Sequence, residues 1–305
     1  MAPYRRQHLV SQVIVDRFSD QGNVMRFQLD PERIQARTPA TCMYMPDFIS
    51  AAPAEAERLW GLVESKLPEA LDAVDDGSIL NSPSAIATLK DCLAVHVARS
   101  KAMAWTRGVA LQRAAAQLKV EMMTKQPRWL LERFQERYGV VGVGVQALER
   151  AADDFITAAA PTVNTPKSFW ASVREYFDHA MSFFTRQALE VITPDPGSGE
   201  FLLGDCPAIA LAKGRQLIGG PRGGVGVDDA ATVIMPIGPR HMISLGPVPL
   251  SAGIPANYVD QLNRVQVVNA FHEVCFRPGA SMEGFVRSAR KLLTPAPTGE
   301  PLRTP

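Results

Sequence analysis

The sequence predicts an α+β fold: a mostly helical middle with a small mixed or antiparallel sheet built from N-terminal and C-terminal strands. Three observations carry that expectation. Residues 54–192 repeat apolar side chains at helical spacing. Residues 200–276 change to short apolar runs cut by Gly and Pro. One alternating run, Val24 to Leu29, lies ahead of the helical region. Strands at both ends of a helical block give the α+β class.

The elements follow in order. Gln21-Gly22-Asn23 marks a turn, and Val24, Arg26 and Gln28 then alternate with Met25, Phe27 and Leu29 as in a strand. Pro39, Pro46 and Pro53 leave residues 39–53 irregular. Leu59, Leu62, Val63, Leu67 and Leu71 predict a helix over 54–74. Asn81-Ser82-Pro83 starts another, with a capping residue before a first-turn proline. No proline interrupts that run before about Thr124. Helices are expected at 129–138, at 145–159 after Gly139, Gly142 and Gly144, and from Lys167 to about Ile192. Thr193-Pro194-Asp195-Pro196-Gly197-Ser198-Gly199 is the strongest boundary signal. Strands are expected at 200–211, 231–237 and 241–245, with a glycine-rich tip at Gly219 to Gly226. A helix over 258–272, a strand at 274–276 and a helix over 282–293 complete the chain. One domain over 1–293 is expected, with a helical middle at 54–192 and a strand-rich part at 200–276. The four-proline tail 294–305 is expected to be disordered.

Composition narrows the class of function. The 305 residues are 46% apolar and 21% charged, with 32 Lys+Arg against 31 Asp+Glu and a net charge of +1. That excludes wholesale disorder, a collagen-like repeat and a broad basic surface for nucleic acid. No stretch approaches the roughly 18 apolar residues of a membrane span, and the N-terminus lacks a secretory apolar core. Cys42, Cys92, Cys206 and Cys275 show no paired spacing, which fits reduced thiols and a cytoplasmic location.

Five separated segments resemble one known family. His8-Leu9-Val10-Ser11-Gln12-Val13-Ile14-Val15-Asp16-Arg17-Phe18-Ser19 resembles an opening His-x-Val-Pro-Gln-x-x-Leu-x-x-Phe-Ser. Phe201-Leu202-Leu203-Gly204-Asp205-Cys206-Pro207-Ala208 resembles Phe-Ile-Thr-Ser-Asp-Asn-Pro-Val. Pro236-Ile237-Gly238-Pro239 is similar to a Pro-Leu-Ser-Pro turn, Leu262-Asn263 and Asn269-Ala270 to a Leu-Asn helix with a later Asn-Ala, and Arg99 to a recurring helical arginine. In this order they resemble domain-of-unknown-function family 4238, a bacterial group with no reaction attached. Ser11, Cys206 and Gly238 depart from its proline, asparagine and hydroxyl residue. If those positions contact substrate in relatives, an activity is altered or lost here.

Four residues make the candidate site. Asp205 is expected on a strand face with Phe201 and Leu203, where a buried carboxylate needs a cation or several donors. Arg99, with Val95 and Met103 one helical turn to either side, needs an anion: Asp205 or a ligand's phosphate or carboxylate. His8 is a candidate general base, with Gln12 four residues on to bind it or a substrate. Asn263 is a neutral residue to orient Asp205 or a ligand.

Together these predict an intracellular hydrolase or nuclease-like enzyme acting on a phosphate-bearing or other anionic substrate, with a small-molecule or nucleotide-like anionic ligand and no cofactor or metal implied. The alternative is a non-enzymatic binding or regulatory protein whose polar cluster is structural. The glycine runs lack the lysine and hydroxyl of a phosphate loop, and His272-x-x-Cys275 has no second ligand pair. Arg174 and His179 match the Arg-x4-His spacing of helical ribonucleases, although an Arg174/Asp178 pair on a solvated helix face explains them more simply. Oligomeric state is not legible.

Overall fold

In the computed structural model, residues 6–212 and 226–291 are described. The glycine-rich tip, save Gly226, and the tail 294–305 lie outside the described residues. Strand β1 (Arg6–His8) pairs antiparallel with β4 (Tyr44–Pro46), and between them run α1 (Gln12–Asp16), β2 (Val24–Leu29) and β3 (Glu32–Arg37). β2 is the alternating run. β3 is an addition to the expected elements, because its one large apolar residue, Ile34, gives no alternating signal.

The helix expected over 54–74 is two, α2 (Pro53–Glu64) and α3 (Leu67–Asp75). Pro68 stands in the first turn of α3, where its missing N–H is harmless but would end a continuous helix. Ser82 caps α4 (Pro83–Ala98) by accepting the Ala85 N–H. The run does not continue unbroken to Thr124. It breaks at Arg99 and Ser100 and restarts as α5 (Lys101–Lys125). Then come α6 (Pro127–Tyr138), α7 (Gly144–Val163) and α8 (Pro166–Thr185). Gly139 ends α6 in the left-handed conformation that glycine adopts without a Cβ clash.

The largest correction follows. Helix was expected to about Ile192, but Ala188–Pro194 is strand β5. Its Val191, Ile192 and Thr193 are β-branched, and pairing on both edges overrides the preceding helical period. The expected strand over 200–211 is likewise two short pieces, β6 (Leu203–Gly204) and β7 (Ile209–Ala212). β8 (Ala230–Gly238), β9 (His241–Gly246), β10 (Leu250–Ile254), α9 (Ala256–Asn269), β11 (Glu273–Phe276) and α10 (Glu283–Arg290) complete the order.

Two larger sheets result. A mixed sheet runs β10-β5-β9-β8-β7, with only the β10–β5 pairing parallel. An antiparallel sheet runs β3-β2-β11-β6, so N-terminal and C-terminal strands do share a sheet. The centre of the mixed sheet, β8 and β9, is buried on both faces, which is why β8 reads as a continuous apolar run, while the edge strand β10 is largely exposed. Val233, Met235, Ile237 and Ile243 face the main core with Trp60, Leu93 and Phe184, while Ile234 and Met242 face Val259 and Val265 of α9. Trp60 meets Trp170 and Phe177 edge-on at 6.0 Å, and burying each such ring contributes roughly 1.5–3 kcal/mol. Val267 of α9 packs instead with Phe27, Val274 and Phe276, so the helix lies between the two sheets. Helices α5–α7 carry a separate small core of Met122, Leu130, Ala151 and Ala152.

Candidate functional site

β1 brings His8 opposite Tyr44, and the Leu9 N–H donates to the Met43 carbonyl at 2.8 Å. The His8 ring is half-buried. Its Nε2 lies 3.2 Å from the Ala40 carbonyl and 3.3 Å from Gln12 Nε2. A carbonyl only accepts and an amide nitrogen only donates, so this one ring nitrogen does not serve both contacts at once, and the tautomer decides which of them is a hydrogen bond. Gln12 is placed beside His8, as its spacing predicted.

Arg99 is not in mid-helix. Its backbone leaves α4 as the C-cap, and Ser100 starts α5 by accepting the Met103 N–H at 3.0 Å. Met103 is therefore not one turn along the same helix. The Arg99 guanidinium lies over the Trp60 ring at 5.6 Å and donates through Nη2 to Glu64 Oε1 at 2.6 Å and to Ser11 Oγ at 3.2 Å. Ser11 Oγ donates to the same Glu64 oxygen at 2.6 Å. Burial pushes the Glu64 carboxyl up, but the Arg99 charge and the Ser11 and Arg99 hydrogen bonds outweigh it and hold the group below its ordinary range. The Ser11 N–H donates to His96 Nε2 at 3.1 Å, and His96 Nδ1 donates to the Cys92 carbonyl at 2.7 Å. Burial, reinforced by the Arg99 charge, drops His96 to about 3, so it is a neutral acceptor and not a working base.

Asp205 lies one residue past β6. Its Oδ1 accepts the Phe271 N–H at 2.7 Å, and its Oδ2 accepts the His272 N–H at 2.9 Å and Lys101 Nζ at 3.0 Å. Its own N–H donates to the Glu273 carbonyl. The Glu273 carboxylate in turn accepts from Arg26 Nε and from the Met43 N–H. Phe201 and Leu203 fall in different apolar clusters, so the single strand face expected for them and Asp205 does not form. The chain turns between them to bring Asp205 to the 271–273 backbone.

Asn263 is engaged elsewhere. Its Oδ1 accepts the Leu202 N–H at 2.9 Å and its Nδ2 donates to the Glu200 carbonyl at 2.8 Å. Gln266, one turn on, repeats the arrangement on the Gly204 N–H and the Pro207 carbonyl. A Cβ at Gly204 would stand 3.0 Å from the Gln266 carbonyl, so glycine permits this close approach of α9.

The structure thus places Arg99 on Glu64 and Asp205 on Lys101, on either side of the α4–α5 junction, and the expected Arg99–Asp205 partnership is not made. Asn263 orients the 200–202 backbone and not Asp205. Arg174 pairs with Glu55 at 2.7 Å and not with Asp178, while His179 Nε2 lies 2.8 Å from Asp228. Sequence reasoning missed Glu64, His96, Lys101, Glu273 and Gln266. Only the pair Asn263 and Gln266, three apart on one helix face, left a local signal.

An open groove of about 310 Å³ between α6 and α7, lined by Arg133, Phe134, Arg137, Asp154 and Phe155 among others, contains none of the candidate residues. Among the described residues no group of three or more His, Cys, Asp or Glu is placed to hold a metal ion, and no helix is long and apolar enough to cross a membrane. The chain matches the model of DUF4238, a protein family of unknown function, over residues 6–280, and belongs to that family. No curated protein and no solved structure matches it.

Proposed function

We propose, with membership of the DUF4238 family as the premise, that this chain is a binding or regulatory protein whose polar cluster is structural. What supports this reading most is burial combined with pairing inside the chain, with the Nε of Arg99 the buried atom of the cluster that meets no hydrogen-bond partner among the described residues. Arg99, Asp205 and Asn263 are 4%, 1% and 2% exposed, and each is hydrogen-bonded within the chain. A phosphate reaching Arg99 has to displace Glu64, and a substrate reaching Asp205 has to strip donors from a buried carboxylate. Leaving such a charge unpaired costs about 3–5 kcal/mol. The apolar surface left over lies where α6 turns into α7: Val140, Val141, Val143 and Val145 are 58–81% exposed. Four large apolar side chains within six residues form a patch of the kind that receives a partner.

The hydrolase reading keeps one observation in its favour. His8 is half-buried, and its neighbour Gln12 adjoins Ser11, which touches Arg99. The two readings separate when purified full-length protein and His8→Ala are assayed with phosphomonoester, phosphodiester and carboxyl-ester chromogenic substrates. The binding reading expects no turnover above buffer for either protein. Turnover by the wild type that His8→Ala removes without lowering Tm establishes the hydrolase.

A further inference from the structure

The turn from α6 into α7 forms an apolar knob. Val140, Val141, Val143 and Val145 stand 58–81% exposed, and residues 138–148 carry no charge. A Cβ at Gly142 would lie 2.6 Å from the Phe134 ring, so glycine lets the turn close down on α6. Phe134 in turn packs on Tyr138, with ring centres 4.7 Å apart. Met122, Leu130, Ala151 and Ala152 hold the hairpin from within, apart from the main core. The groove of about 310 Å³ lies on the same hairpin, with Phe134, Phe155 and Ala158 among its apolar lining and Arg133, Glu136, Arg137 and Asp154 at its rim. Those charges cancel, because Arg133 meets Glu136 at 2.7 Å and Arg137 meets Asp154 at 3.3 Å.

We propose that a second copy of this chain fills the groove, each copy's valine tip docking between α6 and α7 of the other in a two-fold dimer. This inference rests on the reading of the chain as a binding protein and names its partner. The uncharged tip meets a rim whose cations and anions already pair with one another, so docking buries no unpaired charge. An anionic lipid surface calls instead for free basic residues beside the apolar tip, and both rim arginines are engaged. The four valines expose on the order of 400 Å², the size of a patch that is often functional. One tip in one groove covers about 800 Å², too little for a specific interface, whereas a reciprocal pair covers about 1,600 Å², the standard size. Val145 and Phe155 lie on α7 about 15 Å apart along its axis, so tip and groove are neighbours on one hairpin. A two-fold axis between them presents each tip to the other copy's groove, and the assembly closes at two.

The test is sedimentation velocity of the full-length protein over a concentration series. Beside the wild type run Val143→Asp, which puts a charge on the tip, and Ala158→Glu, which puts one in the groove. Both positions are exposed, so neither variant loses core packing. The expected result is a wild-type dimer, with the dimer dissociation constant of each variant raised at least about tenfold and Tm unchanged. A wild type that stays monomeric throughout, or a dimer that both variants leave intact, overturns the proposal. So does a dimer lost in only one variant, because tip and groove then do not meet each other. A monomer that floats with vesicles of phosphatidylcholine and phosphatidylglycerol overturns it in favour of a lipid surface. A monomer without hydrolytic turnover removes the second copy and leaves the binding reading standing. Turnover that His8→Ala abolishes removes the binding reading itself, whatever the oligomeric state.

Discussion

Buried beside Arg99 and accepting the Ser11 N–H, the His96 imidazole remains neutral down to about pH 3, whereas in the unfolded chain it takes a proton near 6.5. A depressed folded value means that the stabilisation is complete above pH 6.5 and is lost as pH falls toward 3. The slope in that window reaches about 1.4 kcal/mol per pH unit. Urea midpoints of the wild type should therefore fall more steeply between pH 6.5 and 5 than those of His96→Gln, whose amide oxygen still accepts the Ser11 N–H. Parallel curves refute this assignment. A second prediction concerns Gly238, which replaces the hydroxyl residue of the turn it resembles. Among the described residues Arg17 Nε is buried without a hydrogen-bond partner, and a Cβ at Gly238 would stand 2.9 Å from it, against a guanidinium whose Nη1 and Nη2 are held by Asp75. Gly238→Ser supplies an acceptor there, while Gly238→Ala brings the same Cβ without one. The serine variant should be the more stable by about 1 kcal/mol in urea melts, and equal stability counts against the orphan. Ser11 shows how far a single departure was legible. Its hydroxyl adds a donor to Glu64 that proline cannot offer, and nothing in the sequence near residue 11 points to residue 64.

Among the elements, α9 shows how side chains substitute for a strand edge. Asn263 and Gln266 satisfy backbone groups of 200–207 on the side away from β11, so β6 needs only two residues of ladder to stay ordered. Asn263→Ala orphans the buried Leu202 N–H and the half-buried Glu200 carbonyl and should cost about 1–3 kcal/mol, with faster amide exchange at Leu202. An unchanged exchange rate there removes this account of β6. The break between α4 and α5 is equally specific. Ser100→Ala removes a hydroxyl that accepts the Met103 N–H and donates to the Val97 carbonyl, and should cost about 1 kcal/mol. Helix periodicity and the Ser82 cap were readable because each depends on residues three or four apart. β5 was not, because Ala188–Pro194 is a strand through partners on β9 and β10, fifty or more residues downstream. The Arg99 break was hidden for a related reason: the Glu64 and Ser11 partners that meet its side chain there lie on other elements.

At the scale of the whole molecule, hydrogen bonds join remote segments across one seam. Leu9 holds Met43, Met43 holds Glu273, the Glu273 carbonyl holds Asp205, Asp205 holds Lys101, and two residues back Arg99 holds Ser11 and Glu64. The sequence marked Arg99, Asp205 and the segment from His8 to Gln12 as polar groups among apolar neighbours. It could not pair them, because Glu64, Lys101 and Glu273 are ordinary charges until the fold brings them in. The composite fold class was legible from the change of period near residue 194, whereas the three-layer position of α9 depends on which face each sheet turns toward it. The central claim, that this seam is structural, is tested most directly by urea denaturation of Asp205→Asn beside the wild type. Neutralising a carboxylate that is 1% exposed and holds Lys101 and two backbone N–H groups should remove about 3–5 kcal/mol of stability. An unchanged midpoint would contradict the claim and return Asp205 to the list of candidate catalytic groups.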